Sequence, residues 1–327
     1  MHLIISWPDR VSIEWRSPLG HEVHWGTKRR SVLREPRSID APPTVNPPTA
    51  GVERKENMTI QFDKPLRDHI LNHMVQTVEN APYFDDPFPH FIASGFIPSD
   101  SYEQLLASFP TLEHYEAFSY EKHHTQDGES NRKRFCLEAQ SIDRLEEEPR
   151  TFWYTLRHAL GSRALKDAVF TKLAAGLALR YQVPEQQVRE LPGFALPELF
   201  RETEGYSIKP HPDTRKKVVT MQFALAADDS QRLLGTEFYR RSVNPMAWLR
   251  EPRGFDIVKQ APFLPNTVYA FSVLNTISLK SWHGKSTLAP QQGVRNSLLN
   301  IWYEKVENAN PELAEECGLI GPSVAAA

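Results

Sequence analysis

The sequence predicts a mixed α+β protein, mainly β in its second half, whose core is a double-stranded β-helix, or jelly roll, preceded by helices. Two observations carry this prediction. After about Pro192, short runs rich in β-branched and aromatic residues recur with Gly, Pro, Asn or Asp between them, the pattern of an antiparallel sandwich or barrel. Before that point, apolar residues recur at helical rather than strand spacing.

Composition bounds the class. The chain has 327 residues, 40% hydrophobic and 24% charged, enough for one large core in an ordinary soluble protein. A net charge of -3 and a pI of about 6.5 give no electrostatic reason to expect nucleic acid or an anionic membrane as the main partner. Two cysteines, Cys136 and Cys317, are too few for a disulfide framework, so a cytoplasmic location is expected. No run approaches the roughly 18 to 20 consecutive apolar residues that span a bilayer. The apolar start, Met1 to Trp7, meets Pro8-Asp9-Arg10 too soon for a secretory core segment.

Four regions follow in order. Residues 1–57 are dense in Pro, Arg, Ser and Thr, with Ala41-Pro42-Pro43-Thr44-Val45-Asn46-Pro47-Pro48 at the centre. Proline fixes φ and removes amide donors, so no helix or inner strand runs through this stretch. It reads as a disordered extension or as sequence upstream of a true start at Met58; a Pro-rich partner-binding arm or a basic leader is the rival reading. Residues 58–192 read as a mainly helical support. A short strand in Pro87-Phe88-Pro89-His90-Phe91-Ile92 leads through a turn to Ser99, which is expected to cap a helix burying Tyr102, Leu105, Leu106 and Phe109. A second helix from about Glu148 to Leu160 buries Trp153, Leu156 and Leu160, Gly161-Ser162 breaks it, and a third carries Leu165, Val169 and Leu173 to about Leu179. Between the first two lies a polar, aperiodic loop over 119–134, either a solvated loop or a lid carrying His124 or Arg134. His123 and His124 are not a paired ligand set, because neighbours on extended backbone point in opposite directions. Residues 193–305 hold eight expected strands: Ala195–Arg201, Tyr206–His211, Lys217–Leu225, Thr236–Arg240, Phe255–Gln260, Thr267–Val273, Leu279–His283 and Arg295–Tyr303. Residues 306–327 read as a C-terminal tail.

The chemistry concentrates in the strand-rich part. His211 and Asp213, in Lys209-Pro210-His211-Pro212-Asp213, are two apart and so share one face of an extended chain. His283 follows in Ser281-Trp282-His283-Gly284, on a strand able to lie beside the first. Two imidazoles and one carboxylate form the three-point face that binds non-haem Fe(II) and leaves the opposite positions open. Arg295 and Ser297, in Gly293-Val294-Arg295-Asn296-Ser297, share a face of the last strand and suit the far carboxylate of a dicarboxylic acid. A buried guanidinium without an anion is costly, which makes the pairing informative. Taken singly, His283 is as well a hydrogen-bonded core histidine, His211 a loop residue and Arg295 the partner of Glu237. Glu237 itself faces either the chamber or solvent, and Asn275 and Lys280 lie close enough to His283 to support it.

Residues 194–304 resemble the prolyl 4-hydroxylase-like branch of the 2-oxoglutarate/Fe(II)-dependent oxygenases. The family's His-x-Asp, distal His and Arg-x-Ser are matched by His211-Pro212-Asp213, His283 and Arg295-Asn296-Ser297. The resemblance implies an enzyme, a dioxygenase that hydroxylates an unactivated C–H bond with succinate and CO2 as co-products. It implies Fe(II), 2-oxoglutarate and O2 as cofactors, and admits ascorbate. Relatives often hold 2-oxoglutarate with a tyrosine on the barrel wall; around the strand before His211 this chain has Phe200 and on the next strand Ala224, leaving Tyr206 or Thr220 as substitutes. Asp213 is a carboxylate where related halogenases have Ala or Gly, which favours hydroxylation. Two other readings stay open: a non-catalytic jelly-roll module binding a metal or ligand, and a cupin-type metalloenzyme that does not use 2-oxoglutarate. The expected partner is a small-molecule or peptidyl substrate, read by loops such as 119–134 and 241–254.

Overall fold

The computed structural model describes residues 62–118 and 129–321. The expected N-terminal extension over 1–57, the start at Met58, residues 119–128 of the loop with His123 and His124, and residues 322–327 lie outside the described residues.

Helix α1 (Lys64–Asn80) starts where the Asp63 side chain accepts from the Leu66 amide, with Pro65 in the first turn, where its missing amide costs nothing. It buries Ile70, Leu71, Met74 and Val78. Sequence reasoning passes over this helix, although Asp63, Pro65 and the spacing of Ile70, Leu71, Met74 and Val78 mark it, with His69, Asn72 and Gln76 on the exposed face. Strands β1 (Tyr83–Phe84) and β2 (His90–Ser94) lead to α2 (Ser99–Ala107), whose N-cap is Pro98. Ser99 therefore opens the helix rather than capping it, and no side chain bonds that cap.

After β3 (Glu116–Ala117), β4 (Arg132–Cys136) and the single turn of α3 (Ala139–Ile142), α4 (Glu147–Gly161) runs with Trp153 and Leu156 fully buried. The Ser162 hydroxyl accepts from the Leu165 amide at 3.2 Å and starts α5 (Arg163–Lys172). The single helix expected up to Leu179 is two, because Leu173 leaves helical geometry before α6 (Ala174–Tyr181).

The eight expected strands then appear in order: β5 (Phe194–Glu202), β6 (Ile208–His211), β7 (Lys217–Ala224), β8 (Glu237–Arg241), β9 (Phe255–Gln260), β10 (Thr267–Ser272), β11 (His283–Lys285) and β12 (Arg295–Tyr303). Strand β11 begins later than the sequence suggests. The Ser281 hydroxyl bonds the Leu274 amide at 3.0 Å, so regular pairing resumes only at His283. The segment after β12 is more than a tail: α7 (Pro311–Glu316) docks on α4, with the fully buried Arg157 reaching Glu312 at 3.1 Å and Glu316 at 3.2 Å. Among the described residues no helix is long and apolar enough to cross a membrane.

The strands form two antiparallel sheets, one in the order β1-β2-β10-β7-β12-β5-β4-β3 and one in the order β6-β11-β8-β9. From β5 to β12 the chain passes repeatedly between them, which is the jelly-roll path. Period-2 alternation sorts the side chains. Leu199, Val219, Met221, Phe223, Leu298 and Trp302 face the helices in the main core, while Thr220, Gln222, Arg295 and Ser297 face the space between the sheets. Each fully buried side chain such as Phe223 or Leu298 stabilises the fold by roughly 1.5–3 kcal/mol. A second apolar cluster, with Phe88, Phe238, Tyr269 and Phe271, joins the two sheets on the inside.

Candidate metal centre

His211 ends β6 and His283 opens β11, and the two are direct partners across the ladder. Strand β6 lies at the edge of its sheet, so Pro210 within it sacrifices no essential ladder bond. Asp213 follows in the turn with φ of 36°, a left-handed conformation that Asp tolerates better than most residues. Lys217 Nζ at 2.7 Å from Oδ1 and the Thr220 hydroxyl at 2.8 Å from Oδ2 hold its carboxylate.

The two imidazoles are set alike. His211 Nδ1 lies 3.0 Å from the Lys209 carbonyl and His283 Nδ1 lies 2.9 Å from the Ser281 carbonyl. Each Nδ1 therefore carries the proton and donates, which leaves the Nε2 lone pair for a ligand. The two Nε2 atoms lie 3.7 Å and 3.6 Å from the Asp213 oxygens, and one ligand atom from each of the three residues falls within 4.8 Å of the others. Burial pushes His283 down to about 4 and lowers His211 as well, so both rings are neutral at pH 7. Burial favours the protonated form of Asp213, yet its positive neighbours prevail and hold its carboxyl below the usual range. With the imidazoles uncharged at neutral pH, the Lys217 ammonium is the main such neighbour. Two neutral imidazoles and one ionised carboxylate, so spaced, fit a divalent iron ion as its three protein ligands.

The same cavity, of about 120 Å³, extends from the triad to Arg295, Gln222, Tyr269 and Glu202. Arg295 is 2% exposed. Its Nη1 donates to Glu202, Nε to the Leu234 carbonyl at 2.7 Å, and Nη2 to Gln222 Oε1 at 2.9 Å and Thr236 Oγ1 at 3.2 Å. Gln222 is the hub: its Oε1 also accepts from Tyr269 and Thr236, and its Nε2 donates to Ser297 Oγ at 2.9 Å. Arg295 and Ser297 thus share the inner face of β12 and are bridged by one carboxamide.

Other residues singled out from sequence take these places. Thr220 contacts Asp213. Tyr206 is buried against the Arg132 guanidinium, 5.2 Å from its ring, and beside Glu202. Phe200 lies under Arg132 as well, at 4.5 Å. Glu237 does not pair with Arg295; it accepts from Ser286 and Tyr239 and lies 3.4 Å from Lys285. Asn275 and Lys280 pair with each other in an isolated bridge. Sequence reasoning misses Tyr269, Gln222, Thr236 and Glu202. The alternation Thr267, Tyr269, Phe271 along β10 is the sequence signal for a tyrosine on the inner wall, on the strand that pairs with β7.

No protein-family model matches the sequence, and no curated protein matches it. Solved structures do match. A prolyl-4-hydroxylase of Pseudomonas putida aligns at TM-score 0.41 and 12% identity, over 72% of this chain and 99% of that one. A non-haem alpha-ketoglutarate-dependent epimerase of nogalamycin biosynthesis aligns at 0.42 and 12%, over 79% and 91%. EctD from S. alaskensis, with 2-oxoglutarate and 5-hydroxyectoine, aligns at 0.37 and 12%, over 69% and 80%. The chemistry assigned to this chain rests on its own side chains.

Proposed function

We propose that this chain is an Fe(II)- and 2-oxoglutarate-dependent dioxygenase that hydroxylates an unactivated C–H bond of a polar small molecule, a sugar or a peptidyl side chain. The observation that carries the reading is one cavity holding both the His211, Asp213, His283 face and the Arg295 guanidinium. When bound, iron and 2-oxoglutarate supply the oxidising chemistry: substrate, 2-oxoglutarate and O2 become hydroxylated substrate, succinate and CO2.

The residues do the rest. Lys209 and Ser281 carbonyls fix the tautomers of the two ligand rings, and Lys217 and Thr220 keep Asp213 ionised and oriented. Arg295, Ser297, Tyr269 and Thr236 gather the donors suited to a distal carboxylate. Phe271 packs 4.6 Å from the His283 ring and, with Phe88 and Phe238, backs that ligand with an apolar cluster. The free thiols Cys136 and Cys317 suit a reducing compartment such as the cytoplasm.

The test is anaerobic. Fe(II)-loaded protein should develop a visible metal-to-ligand absorption band when 2-oxoglutarate is added, and should release succinate in air. His211→Ala and Asp213→Ala should abolish iron binding and turnover, whereas Arg295→Ala should mainly raise the 2-oxoglutarate requirement. Full activity of Asp213→Ala refutes the ligand set, and stoichiometric iron binding without any 2-oxoglutarate response refutes the dioxygenase reading.

A further inference from the structure

We propose that Glu202 is a built-in competitor for the distal carboxylate of 2-oxoglutarate and sets the affinity for it, an inference that rests on the dioxygenase reading. Glu202 ends β5 and is 1% exposed. It lies in one register row with Arg132 of β4 on one side and Arg295 of β12 on the other. Its Oε1 is 3.1 Å from Arg132 Nε, and its Oε2 accepts from Arg295 Nη1. The anion expected for a buried Arg295 is therefore already supplied by the chain.

An incoming carboxylate at Arg295 meets Glu202 as a close like charge, which disfavours binding in a poorly screened site. The row nevertheless accommodates an exchange. Two guanidiniums face one carboxylate, so the cluster has a positive charge to spare for a second anion. Arg132 is pinned over Phe118 at 5.1 Å, Phe200 at 4.5 Å and Tyr206 at 5.2 Å, and keeps its half of Glu202 while the other half releases Arg295. The return of Glu202 to Arg295 then favours loss of the product dicarboxylate. Arg132 is a positioning residue in this scheme: it acts on the cosubstrate only through Glu202.

The two residues make opposite predictions, which a merely structural cluster would not. In full-length Mn(II)-loaded protein titrated with 2-oxoglutarate by calorimetry without air, Glu202→Gln should lower the dissociation constant at least about tenfold, the scale of removing one close like charge. Succinate should tighten in parallel. Arg132→Ala leaves Glu202 to Arg295 alone and should weaken both ligands, and it tests the scheme even where Glu202→Gln fails to fold. Unchanged or weaker binding by folded Glu202→Gln, or unchanged or tighter binding by Arg132→Ala, overturns the competitor role. Absence of any 2-oxoglutarate binding to the metal-loaded wild type instead overturns the dioxygenase reading, and this inference with it.

Discussion

Thr220 shows what a single side chain contributes to the centre. The sequence offers it as a partner for 2-oxoglutarate, and its hydroxyl donates to Asp213 Oδ2 at 2.8 Å. Among the described residues Lys217 shares the task of holding that carboxylate, 2.7 Å from the other oxygen. Thr220→Val keeps the shape and removes the donor. Metal affinity should fall 10- to 100-fold, roughly the effect of losing such a support, with the fold retained. Competition against a chelator measures it, and an unchanged affinity would show that Lys217 suffices. The metal triad is legible in the sequence from the ordered set of His211, Asp213, His283 and Arg295 in a strand-rich context, although Asp213 lies in the turn after β6 and not on the strand expected to carry it with His211. Glu202, Gln222 and Tyr269 are not legible, since each becomes informative only when strands distant in sequence place its partner opposite. The premise that a buried Arg295 lacks an internal anion fails for that reason: its counter-charge lies 93 positions away.

At the scale of elements, the centre depends on how closely β6 and β11 approach. His211 and His283 pair directly, and Gly284 stands next to the second. A Cβ at Gly284 would lie 2.5 Å from the Ile208 carbonyl oxygen and 3.2 Å from that of Lys209, both backbone atoms unable to turn aside. Gly284→Ala should therefore separate the two strands and with them the two ligand rings. We expect a loss of about 1–3 kcal/mol, the usual cost of overpacking, together with weaker metal binding. Gly293→Ala is the control. Its Cβ would meet nothing within 4 Å, and only a φ of 74° is strained. With ψ at -153° this is a conformation almost confined to glycine, so the change should cost about 1–3 kcal/mol through local strain and leave metal affinity alone. Equal effects of the two changes on metal binding would separate Gly284 from the centre. The strands around these glycines are readable because alternation and Gly or Pro punctuation coincide. The break between α5 and α6 is not, because Leu173 is an ordinary helix former whose departure is a tertiary effect.

At the scale of the whole molecule, acid should unfold the metal-free protein through three buried histidines, His90, His283 and His158, the last lowered to about 4 by burial and by the neighbouring Arg157 and Arg67. His90 is completely buried among Phe84, Phe88 and Phe238, and burial lowers it to about 4; His283 is lowered to about 4 for the same reason. All three titrate near 6.5 once unfolded. Between about pH 6.5 and 4 the unfolded chain therefore binds more protons than the folded one, so stability falls as pH falls through that window. Each of the three contributes up to about 1.4 kcal/mol per pH unit, and the slope fades above about pH 6.5 and below about 4. Asp213, held below the usual carboxylate range, adds a further loss only below its ordinary value of 3.8. Denaturant melts of metal-free protein at half-unit steps from pH 4.5 to 7.5 should show this slope. His90→Phe keeps an aromatic ring in the cluster and removes one titrating group, and should flatten the slope by about one proton while the shares of His283 and His158 persist. Divalent metal should steepen the dependence, because protons and metal compete for the His283 lone pair. Equal midpoints at pH 5 and pH 7 in the metal-free protein would mean that these rings are charged in the fold, and would remove the reason for reading His283 as a neutral metal ligand.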